Sequence, residues 1–429
     1  MRANMPILTN SDKFTRKLIF FAFILFFLTE FLAKNLEVPD YGKYVVEAIF
    51  ILLYFRGIYR PRIRRVIGLK WPYIFFILIV AQILFGCILN SVPLGNLAVG
   101  LMGHYLGFSV FFVAMYVMTL KDYRSLFNLF FYYQFFNLAC TLYQYFVLGY
   151  YQDLNNGAFT SGAGQDFFCG ILVVYFYSAY LRGKTKLWKL LFILASSACI
   201  AVLQEEKFIL FEIALVVVYQ AVIGQKNVMN IFIITACLLS FSYIVAEMGT
   251  INGDYASESL SSSDKIWENL TTEGAGYGFP RFGSTLIITK IFFPNDLMKQ
   301  LFGLGCGTCE NTTLSIADTS FLKQYGDLNY FQYPIQLGFL QTGWTGIILY
   351  ILFFVSILIY NFKCKIKAPQ KIKYFYDIAI NISLICIALI WYNQTLKWYY
   401  AIMPFFFLAL GPVCTRQINN NELCRSVVL

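Results

Sequence analysis

Charged residues are scarce in this chain of 429 residues, and their scarcity excludes an ordinary soluble protein. Asp, Glu, Lys and Arg make up 13% of the sequence, whereas hydrophobic residues make up 59%. A soluble globular protein carries about 25% charged residues. Apolar runs recur along the chain, and each is long enough to cross a hydrocarbon core of about 30 Å. They predict an all-α polytopic membrane protein, because a spanning helix satisfies its own backbone hydrogen bonds.

Histidine is almost absent, which argues against a metal site built on several imidazoles. The single histidine, His104, lies in an apolar run and is predicted to be a hydrogen-bonded interior residue rather than a catalyst. Most of the eleven cysteines lie in apolar runs, where they behave as small hydrophobic residues. Cys306 and Cys309 alone have motif spacing, but zinc requires two further ligands. This pair is predicted to be a local disulfide or two free thiols.

About twelve transmembrane helices are predicted, and they divide the chain into three parts. Residues 1–246 hold the first nine spans, 247–334 form one large loop, and 335–429 hold the last three spans and a tail. The first apolar run lacks a small-residue cleavage site and is predicted to remain as a span. The spans are predicted at 18–33, 43–59, 71–90, 97–120, 125–148, 166–182, 187–203, 207–223, 228–246, 335–361, 374–392 and 397–413.

The basic residues indicate an orientation. The net charge of +10 would suggest nucleic acid as a partner of a soluble protein, but here most of it lies in short loops between spans. Of the 33 Lys and Arg residues, 24 fall on the side of the N-terminus. Cytoplasmic loops carry such an excess, so both termini are predicted to be cytoplasmic. This arrangement places three segments on the outer face: Gly149–Phe167, the turn QEEK, and the loop from Glu247 to Pro334, with short helices near the membrane surface.

The stretch LQEEKFILFEIAL, Leu203–Leu215, places charged residues between two apolar runs. A plain polar turn is one interpretation, although such turns favour Gly, Asn, Pro or Ser, and none is present. Glu212 follows inside the second run, where a charge is costly unless it meets a partner or a polar cavity. Lys207 is either that partner, or it faces an anionic ligand while Glu205 and Glu206 hold it in place.

The large loop supplies a second cationic segment, GFPRFGSTLIITK. It contains Arg281 and, nine residues later, Lys290. Arginine is suited to bidentate phosphate binding, although a solvated surface arginine is an equal alternative. The spacing of the loop acids does not select a general base among them. These acids are Glu247, Asp254, Glu258, Asp264, Glu268, Glu273, Asp296, Glu310, Asp318 and Asp327.

Four segments together resemble the bacterial polysaccharide polymerase and O-antigen ligase group, the Wzy type. They are NGAFTSGAGQDFFCGILVV, LQEEKFILFEIALVVVY, LFGLGCGT, and LGFLQTGWTGIILYILFF with its pair Gly343 and Gly346. The overall pattern of ten to fourteen spans with one large outer loop in the C-terminal half is also similar. The ligases of this group carry a His-Asn pair before the last glycines. The corresponding stretch here, DLNYFQYPIQLGFLQTG, has none, which favours a polymerase.

The resemblance implies a glycosyltransferase in the bacterial cytoplasmic membrane. It would join oligosaccharide repeat units linked to polyprenyl pyrophosphate into a surface polysaccharide, such as O-antigen, capsule or exopolysaccharide. Its partners would be the lipid-linked donor, the growing glycan acceptor, membrane lipid and other envelope assembly proteins, with no metal, no cofactor and no nucleic acid. The pyrophosphate would be bound by Lys207, Arg281 and Lys290. The catalytic carboxylate would be one of Asp318, Asp327, Glu205 and Glu206.

Two alternatives to a polymerase stay open. One is a ligase-type glycan transferase of the same group. The other is a flippase or transporter of lipid-linked oligosaccharides, which predicts short loops on both sides, internal pseudo-symmetry and charged residues near the middle of the membrane. No internal repeat is visible in the sequence, and one outer loop dominates, so the polymerase is favoured.

Overall fold

The computed structural model describes residues 10–57, 68–151, 154–222, 279–312 and 316–419, and within these ranges the protein is helical with no strand. The predicted span at 228–246 and the loop residues 247–278 lie outside the described residues. The helices are α1 Asn10–Leu36, α2 Gly42–Gly57, α3 Lys70–Leu89, α4 Leu94–Val117, α5 Leu120–Phe146, α6 Gly162–Leu181, α7 Leu187–Gln204, α8 Lys207–Val222, α9 Ser284–Phe292, α10 Leu297–Phe302, α11 Ser320–Tyr325, α12 Pro334–Lys367, α13 Lys373–Tyr392, α14 Ile402–Leu408 and α15 Leu410–Asn419.

Seven of the described helical stretches are long and apolar enough to cross a membrane. They are Asp12–Leu36, Lys70–Leu89, Leu94–Val117, Leu187–Gln204, Pro334–Lys367, Gln370–Tyr392 and Trp398–Asn419. Four other predicted spans form α2, α5, α6 and α8, and the helices α2 and α8 have only 16 residues each. The all-helical class is therefore confirmed for the described residues, and these helices support a multi-pass membrane protein, while the count of twelve spans stays a prediction.

The helix α5 combines a span-like length with a buried polar stripe. Gln134, Asn137, Thr141 and Gln144 recur at intervals of three and four residues, so they lie on one face, and all four are buried. Their partners include the backbone of the connection before α6. The Gln144 amide donates to the carbonyl of Gly157 at 2.7 Å, and the N–H of Gly157 donates back to Gln144 at 2.8 Å. This stripe fixes where α6 begins.

The helix α1 holds the same connection from its other side. The Glu30 carboxylate accepts hydrogen bonds from the backbone N–H of Thr160 at 2.8 Å and from its hydroxyl at 2.7 Å. The Thr160 hydroxyl also lies 2.9 Å from the hydroxyl of Tyr400. Ser161 then caps α6 by accepting from the N–H of Ala163. The position of the α6 N-terminus is thus set by long-range contacts.

Charged side chains that the sequence assigns to the cytoplasmic side meet at one end of the bundle. The Lys365 ammonium lies 2.5 Å from Asp377, which also accepts a hydrogen bond from the Tyr219 hydroxyl at 2.8 Å. Arg182, which follows α6, lies 4.0 Å from the other oxygen of Asp377. At the opposite end, called here the loop end, α6, α8 and α12 begin and α3 and α13 finish. The segment 279–333 lies at the loop end.

The described part of the large loop forms three short helices, α9 to α11. In α9, Ser284, Thr285 and Ile288 are buried, whereas Leu286, Ile287 and Ile291 are exposed. Exposed Leu297 and Met298 extend this apolar surface into α10. An apolar helix face that the protein does not bury is typical of helices lying at a membrane surface, which agrees with the expectation for this segment.

Candidate functional site

The QEEK stretch forms a tight turn between α7 and α8. Glu205 adopts the left-handed conformation with a φ of 58°. The N–H of Glu206 donates back to the carbonyl of Ala201 at 3.0 Å, which is the usual hydrogen bond where glycine terminates a helix. A left-handed non-glycine residue costs about 1–3 kcal/mol and persists only when its surroundings require it. The stretch is therefore a turn in structure, and it still carries two acids at the loop end.

The Glu206 carboxylate lies against the start of α6. A Cβ atom placed on Gly162 would be 2.0 Å from Glu206 Oε1, so glycine at this position leaves room for the carboxylate where it now lies. Asp166, one turn further into α6, is fully buried and interacts electrostatically with Glu206. The Asn393 amide donates to Asp166 Oδ2 at 2.9 Å, while Asp166 Oδ1 has no hydrogen-bond partner in the described structure. Two carboxyl groups therefore face each other at this point.

Glu212 lies deeper in α8 and is fully buried. A Cβ atom on Gly170 would be 2.1 Å from Glu212 Oε2, so the carboxyl group packs against α6 at a glycine. Neither of its oxygens has a hydrogen-bond partner within the described ranges. The interpretation of Lys207 as the partner of Glu212 is therefore wrong, because no hydrogen bond joins the two side chains although both belong to the first half of α8.

Arg281 lies between two tyrosines. Its guanidinium carbon is 4.6 Å from the ring centre of Tyr392 and 5.5 Å from that of Tyr333, and its Nε donates to the Tyr333 hydroxyl at 3.2 Å. Cations bind to aromatic faces at such distances. The segment before Arg281 is held by Gln336, whose side-chain amide donates to the carbonyls of Phe279 and Pro280 at 3.2 and 3.1 Å.

Tyr392 brings Arg281 and the QEEK turn together. Phe208, the residue after Lys207, stacks on Tyr392 with ring centres 4.3 Å apart. Tyr392 also interacts electrostatically with Asp166, Glu206 and Arg281. We call this group the Tyr392 cluster, and its members are Asp166, Glu206, Arg281, Tyr333, Tyr392 and Asn393. Two predicted segments that are distant in sequence thus share one cluster at the loop end.

The remaining predicted residues have different surroundings. Lys207 is half-buried at the first position of α8, and Lys290 is exposed in the last turn of α9. Asp318 is exposed, and its carboxylate accepts from the N–H of Ser320 at 2.8 Å, which stabilises the start of α11. Asp327 is exposed in a short 3-10 turn. The described structure does not bring Asp318, Asp327 or Lys290 into the Tyr392 cluster.

A cavity lies between α3, α4 and α12. Its empty volume is about 450 Å³, including space open to solvent. Polar groups from four places line it: Gln82, His104, Thr342 and Lys397. Most of the remaining wall is apolar. Pro334, the residue after Tyr333, also lines this cavity, so the cavity and the Arg281 segment share the start of α12.

Buried charges surround this cavity. Glu310 Oε1 lies 3.8 Å from the Lys397 ammonium and 3.8 Å from His104 Nε2, and both Glu310 and Lys397 are almost completely buried. The Gln341 amide donates to Glu310 Oε1 at 3.0 Å, and Trp398 Nε1 donates to Oε2 at 3.1 Å. We call these residues the ion cluster: His104, Glu310, Gln341, Lys397 and Trp398.

Lys397 is buried beside the Glu310 carboxylate. Burial lowers the pKa of its ammonium group from the ordinary value, and the nearby Glu310 carboxylate opposes that change. Its Nζ has no hydrogen-bond partner within the described part of the chain. A buried ammonium is costly unless its donors are satisfied. Lys397 thus brings a buried amine, paired with Glu310, to the wall of the cavity.

A kink in α12 explains how Glu310 reaches this place. Gly343 has a φ of 62°, which interrupts the helix. The N–H groups of Leu304 and Gly305 donate to the carbonyls of Leu340 and Gln341, at 2.8 and 3.0 Å. A Cβ atom on Gly303 would be 2.4 Å from the carbonyl carbon of Gln341, so this approach requires glycine. The glycine-containing stretch LFGLGCGT therefore pins the segment that carries Glu310 against α12.

The CxxC pair lies within the same pinned segment. Cys306 and Cys309 are buried free thiols. Burial raises the pKa of both, that of Cys309 to about 12. The sequence left open a local disulfide or two free thiols for this pair, and in the structure both thiols are free. In the part of the chain that is described, no group of three or more His, Cys, Asp and Glu side chains is placed to hold a metal ion.

Sequence reasoning missed the ion cluster. It assigned His104 to the interior, gave Lys397 no role, and left Glu310 among ten loop acids. The sequence did contain one indication, since Glu310 closely follows the glycine-rich stretch LFGLGCGT. Glycines allow close backbone packing, and such packing buries the residues next to them in the chain. The chain matches no protein-family model, and a search of curated proteins returns no similar sequence.

Proposed function

We propose that this protein is a glycan polymerase of the cytoplasmic membrane. It transfers an oligosaccharide from polyprenyl pyrophosphate to a hydroxyl group of an acceptor glycan, and polyprenyl pyrophosphate leaves. The loop end faces the outside of the cell in this proposal, because the basic residues concentrate at the other end and cytoplasmic loops carry such an excess.

The observation that carries the proposal is the meeting of Arg281 with the QEEK turn at Tyr392. Negative charge develops on the pyrophosphate as the glycosidic bond breaks, and preorganised cations stabilise this charge most effectively. Arg281 is held between Tyr333 and Tyr392, and Lys207 lies one residue before the Phe208 ring that stacks on Tyr392. These two side chains supply the cationic groups for the leaving pyrophosphate, with the guanidinium suited to bidentate contacts.

The lipid part of the donor also has a place in this arrangement. Exposed apolar side chains of α9 and α10, including Leu286, Ile291 and Leu297, lie in the same loop segment as Arg281. An apolar helix face at the membrane surface leaves the polyprenyl chain in lipid while its pyrophosphate reaches the loop end.

A transporter of lipid-linked oligosaccharides is the second candidate, and buried charges favour it. Glu212 is fully buried without a hydrogen-bond partner among the described residues, and Lys397 and Glu310 are almost completely buried beside a cavity. Ionisable residues inside a membrane bundle often line substrate or proton pathways. The two candidates differ in product, because loss of a polymerase leaves single repeat units at the cell surface, whereas loss of a flippase leaves none.

The test is a deletion strain complemented with wild-type protein or with Arg281→Ala. Surface glycan is separated by gel electrophoresis and its repeat units are measured by mass. The proposal predicts that the deletion strain carries single repeat units and that only the wild-type protein restores long chains. Absence of single units from the surface of the deletion strain would favour the flippase. Unchanged long chains in the deletion strain would refute both candidates.

A further inference from the structure

The sole histidine of the chain occupies a chemically defined position in the ion cluster. His104 belongs to α4, lines the cavity, and has a side chain that is 13% exposed. Its Nε2 lies 2.7 Å from Gln341 Oε1. The amide of Gln341 therefore lies between the imidazole of His104 and the carboxylate of Glu310 and contacts both.

This chain of contacts fixes the orientation of the Gln341 amide. Glu310 is an acceptor when ionised, so the Gln341 group at 3.0 Å from its Oε1 must be the NH₂ donor. The amide oxygen of Gln341 then faces His104. A flipped amide would place two acceptors against each other at Glu310 and would lose this hydrogen bond.

The amide in turn fixes the histidine tautomer. An amide oxygen only accepts, so His104 Nε2 must carry the hydrogen and donate to it. In the neutral ring the other nitrogen, Nδ1, is then unprotonated and available to accept a proton. Among the described residues, no other side chain or backbone group forms a hydrogen bond with the His104 ring. This is the arrangement of an oriented general base, in which one ring nitrogen is held and the other is available.

Other charged and titratable groups from neighbouring elements contact His104 or line the same cavity. Glu310 comes from the pinned loop segment, Lys397 from the connection after α13, and Tyr350 from the α12 wall of the cavity. Glu310 stabilises the imidazolium that forms when His104 takes a proton. Lys397 presents its ammonium to the same cavity, where it stabilises negative charge on a reacting oxygen.

We propose that His104 is the general base that deprotonates the acceptor hydroxyl, an inference that rests on the proposed glycan transfer. The hydroxyl proton moves to His104 Nδ1, and the acceptor oxygen forms a bond to the anomeric carbon of the donor. The bond between that carbon and the pyrophosphate oxygen breaks, and the electron pair leaves with the pyrophosphate. The imidazolium then returns its proton to water. Gln341 and Glu310 are positioning residues that hold the reactive tautomer.

The tautomer is measured first, and this measurement requires no substrate. Because the chain has one histidine, uniform ¹⁵N labelling of histidine yields the signals of one imidazole in the purified full-length protein in nanodiscs. We expect a protonated Nε2 and an unprotonated Nδ1 in the neutral ring. Gln341→Met should convert this single tautomer to a mixture. A protonated Nδ1 in the wild-type protein would overturn the inference, whether or not the protein is a transferase.

Activity is measured next, in deletion-strain membranes that have accumulated the lipid-linked repeat unit. Purified wild-type protein or His104→Gln is added, and chain length is followed between about pH 4 and about pH 8, a range that extends well below the ordinary imidazole pKa. His104→Gln can still donate to Gln341 but lacks a comparable base, so we expect a loss of about 100-fold or more. The acidic limb of the wild-type pH profile should disappear in the residual activity.

The controls separate this inference from the proposed function. Gln82→Leu changes another polar group of the cavity wall and should retain the acidic limb. If wild-type protein makes no long chains, the proposed function fails. If wild-type protein makes them and His104→Gln makes them at the same rate with the same pH profile, only the assignment of the base fails. The inference is supported if His104→Gln folds with the same yield as the wild-type protein and loses both the activity and the acidic limb of the pH profile.

Discussion

The Arg281 guanidinium lies over the ring of Tyr392, with its central carbon 4.6 Å from the ring centre. They come from the large loop and from the end of α13, so the contact ties the loop to the bundle. Phe208 stacks on the same tyrosine. The tyrosine thereby orients a cation and places the beginning of α8 beside it, which gives the candidate site one defined centre.

Removal of the Arg281 charge should abolish the transfer without unfolding the protein. We expect Arg281→Ala to lower polymer formation about 100-fold, the usual effect of deleting one donor that stabilises developing charge. Arg281→Lys should recover only part of this loss, since lysine cannot make the bidentate contact. The measurement is chain length on gels at equal amounts of membrane protein. Lys299→Ala is the matched control, because Lys299 is a half-exposed cation of the same loop paired with Asp296.

A methyl group on Gly162 should disturb Glu206 selectively. The new Cβ atom would lie 2.0 Å from Glu206 Oε1, and the end of a flexible side chain can move away from it. We expect Gly162→Ala to lower activity about 10- to 100-fold, as for a displacement of about 1 Å, with little change in thermal stability. Gly326→Ala serves as control, since its Cβ atom would make only an ordinary contact with Leu322 at 3.4 Å. Equal activities of the two variants would exclude a role for the position of Glu206.

Lys397 and Glu310 should be coupled in stability. Each single variant, Lys397→Met or Glu310→Gln, removes one member of a buried pair, and such changes cost about 3–5 kcal/mol because the other charge stays buried. The double variant should be more stable than the sum of the two single losses predicts. Thermal unfolding of the detergent-solubilised protein measures this cycle. Additive losses would mean that the two charges are not partners in the folded protein.

Cys306 and Cys309 should resist thiol reagents in the folded protein. Burial raises the pKa of both groups, so the thiolate is scarce near neutral pH, and its fraction should increase only as pH rises towards about 12 for Cys309. Maleimide labelling followed by mass mapping should show slow modification in detergent and full modification after denaturation. Rapid labelling of either thiol at neutral pH would contradict the buried arrangement. A disulfide detected under non-reducing conditions would contradict the free thiols.

The loop end should face the outside of the cell. Fusion of a phosphatase reporter, active only outside the cytoplasm, at residue 300 should give an active enzyme, because this position lies in the large loop predicted to be external. A fusion within the tail after residue 419 should be inactive. Activity at the tail and none at the loop would reverse the orientation and separate the Tyr392 cluster from any external substrate.

The local sequence was sufficient to predict the helices and to predict which loops with basic residues lie at the same end of the bundle. Apolar runs predict helices because a spanning backbone has no water to bind, and eleven of the twelve predicted spans fall on described helices. The meeting of Arg182, Lys365 and Asp377 at one end also follows the predicted sidedness of the loops. The seven helices that are long and apolar enough to cross a membrane do not establish the full count. Helices such as α5 carry a stripe of buried polar residues, and hydropathy alone does not predict that such a stripe is buried.

What the sequence by itself determined is the class of protein, its helical segments, and the presence of cations near the QEEK turn and in the large loop. Only the tertiary structure selected Glu310 from the loop acids and joined it to His104, Gln341 and Lys397. The physical reason is that hydropathy and helix formation depend on neighbours along the chain, whereas a buried ion cluster depends on contacts between distant segments. Here those contacts are created by the kink at Gly343 and by the glycine-rich stretch packed against it.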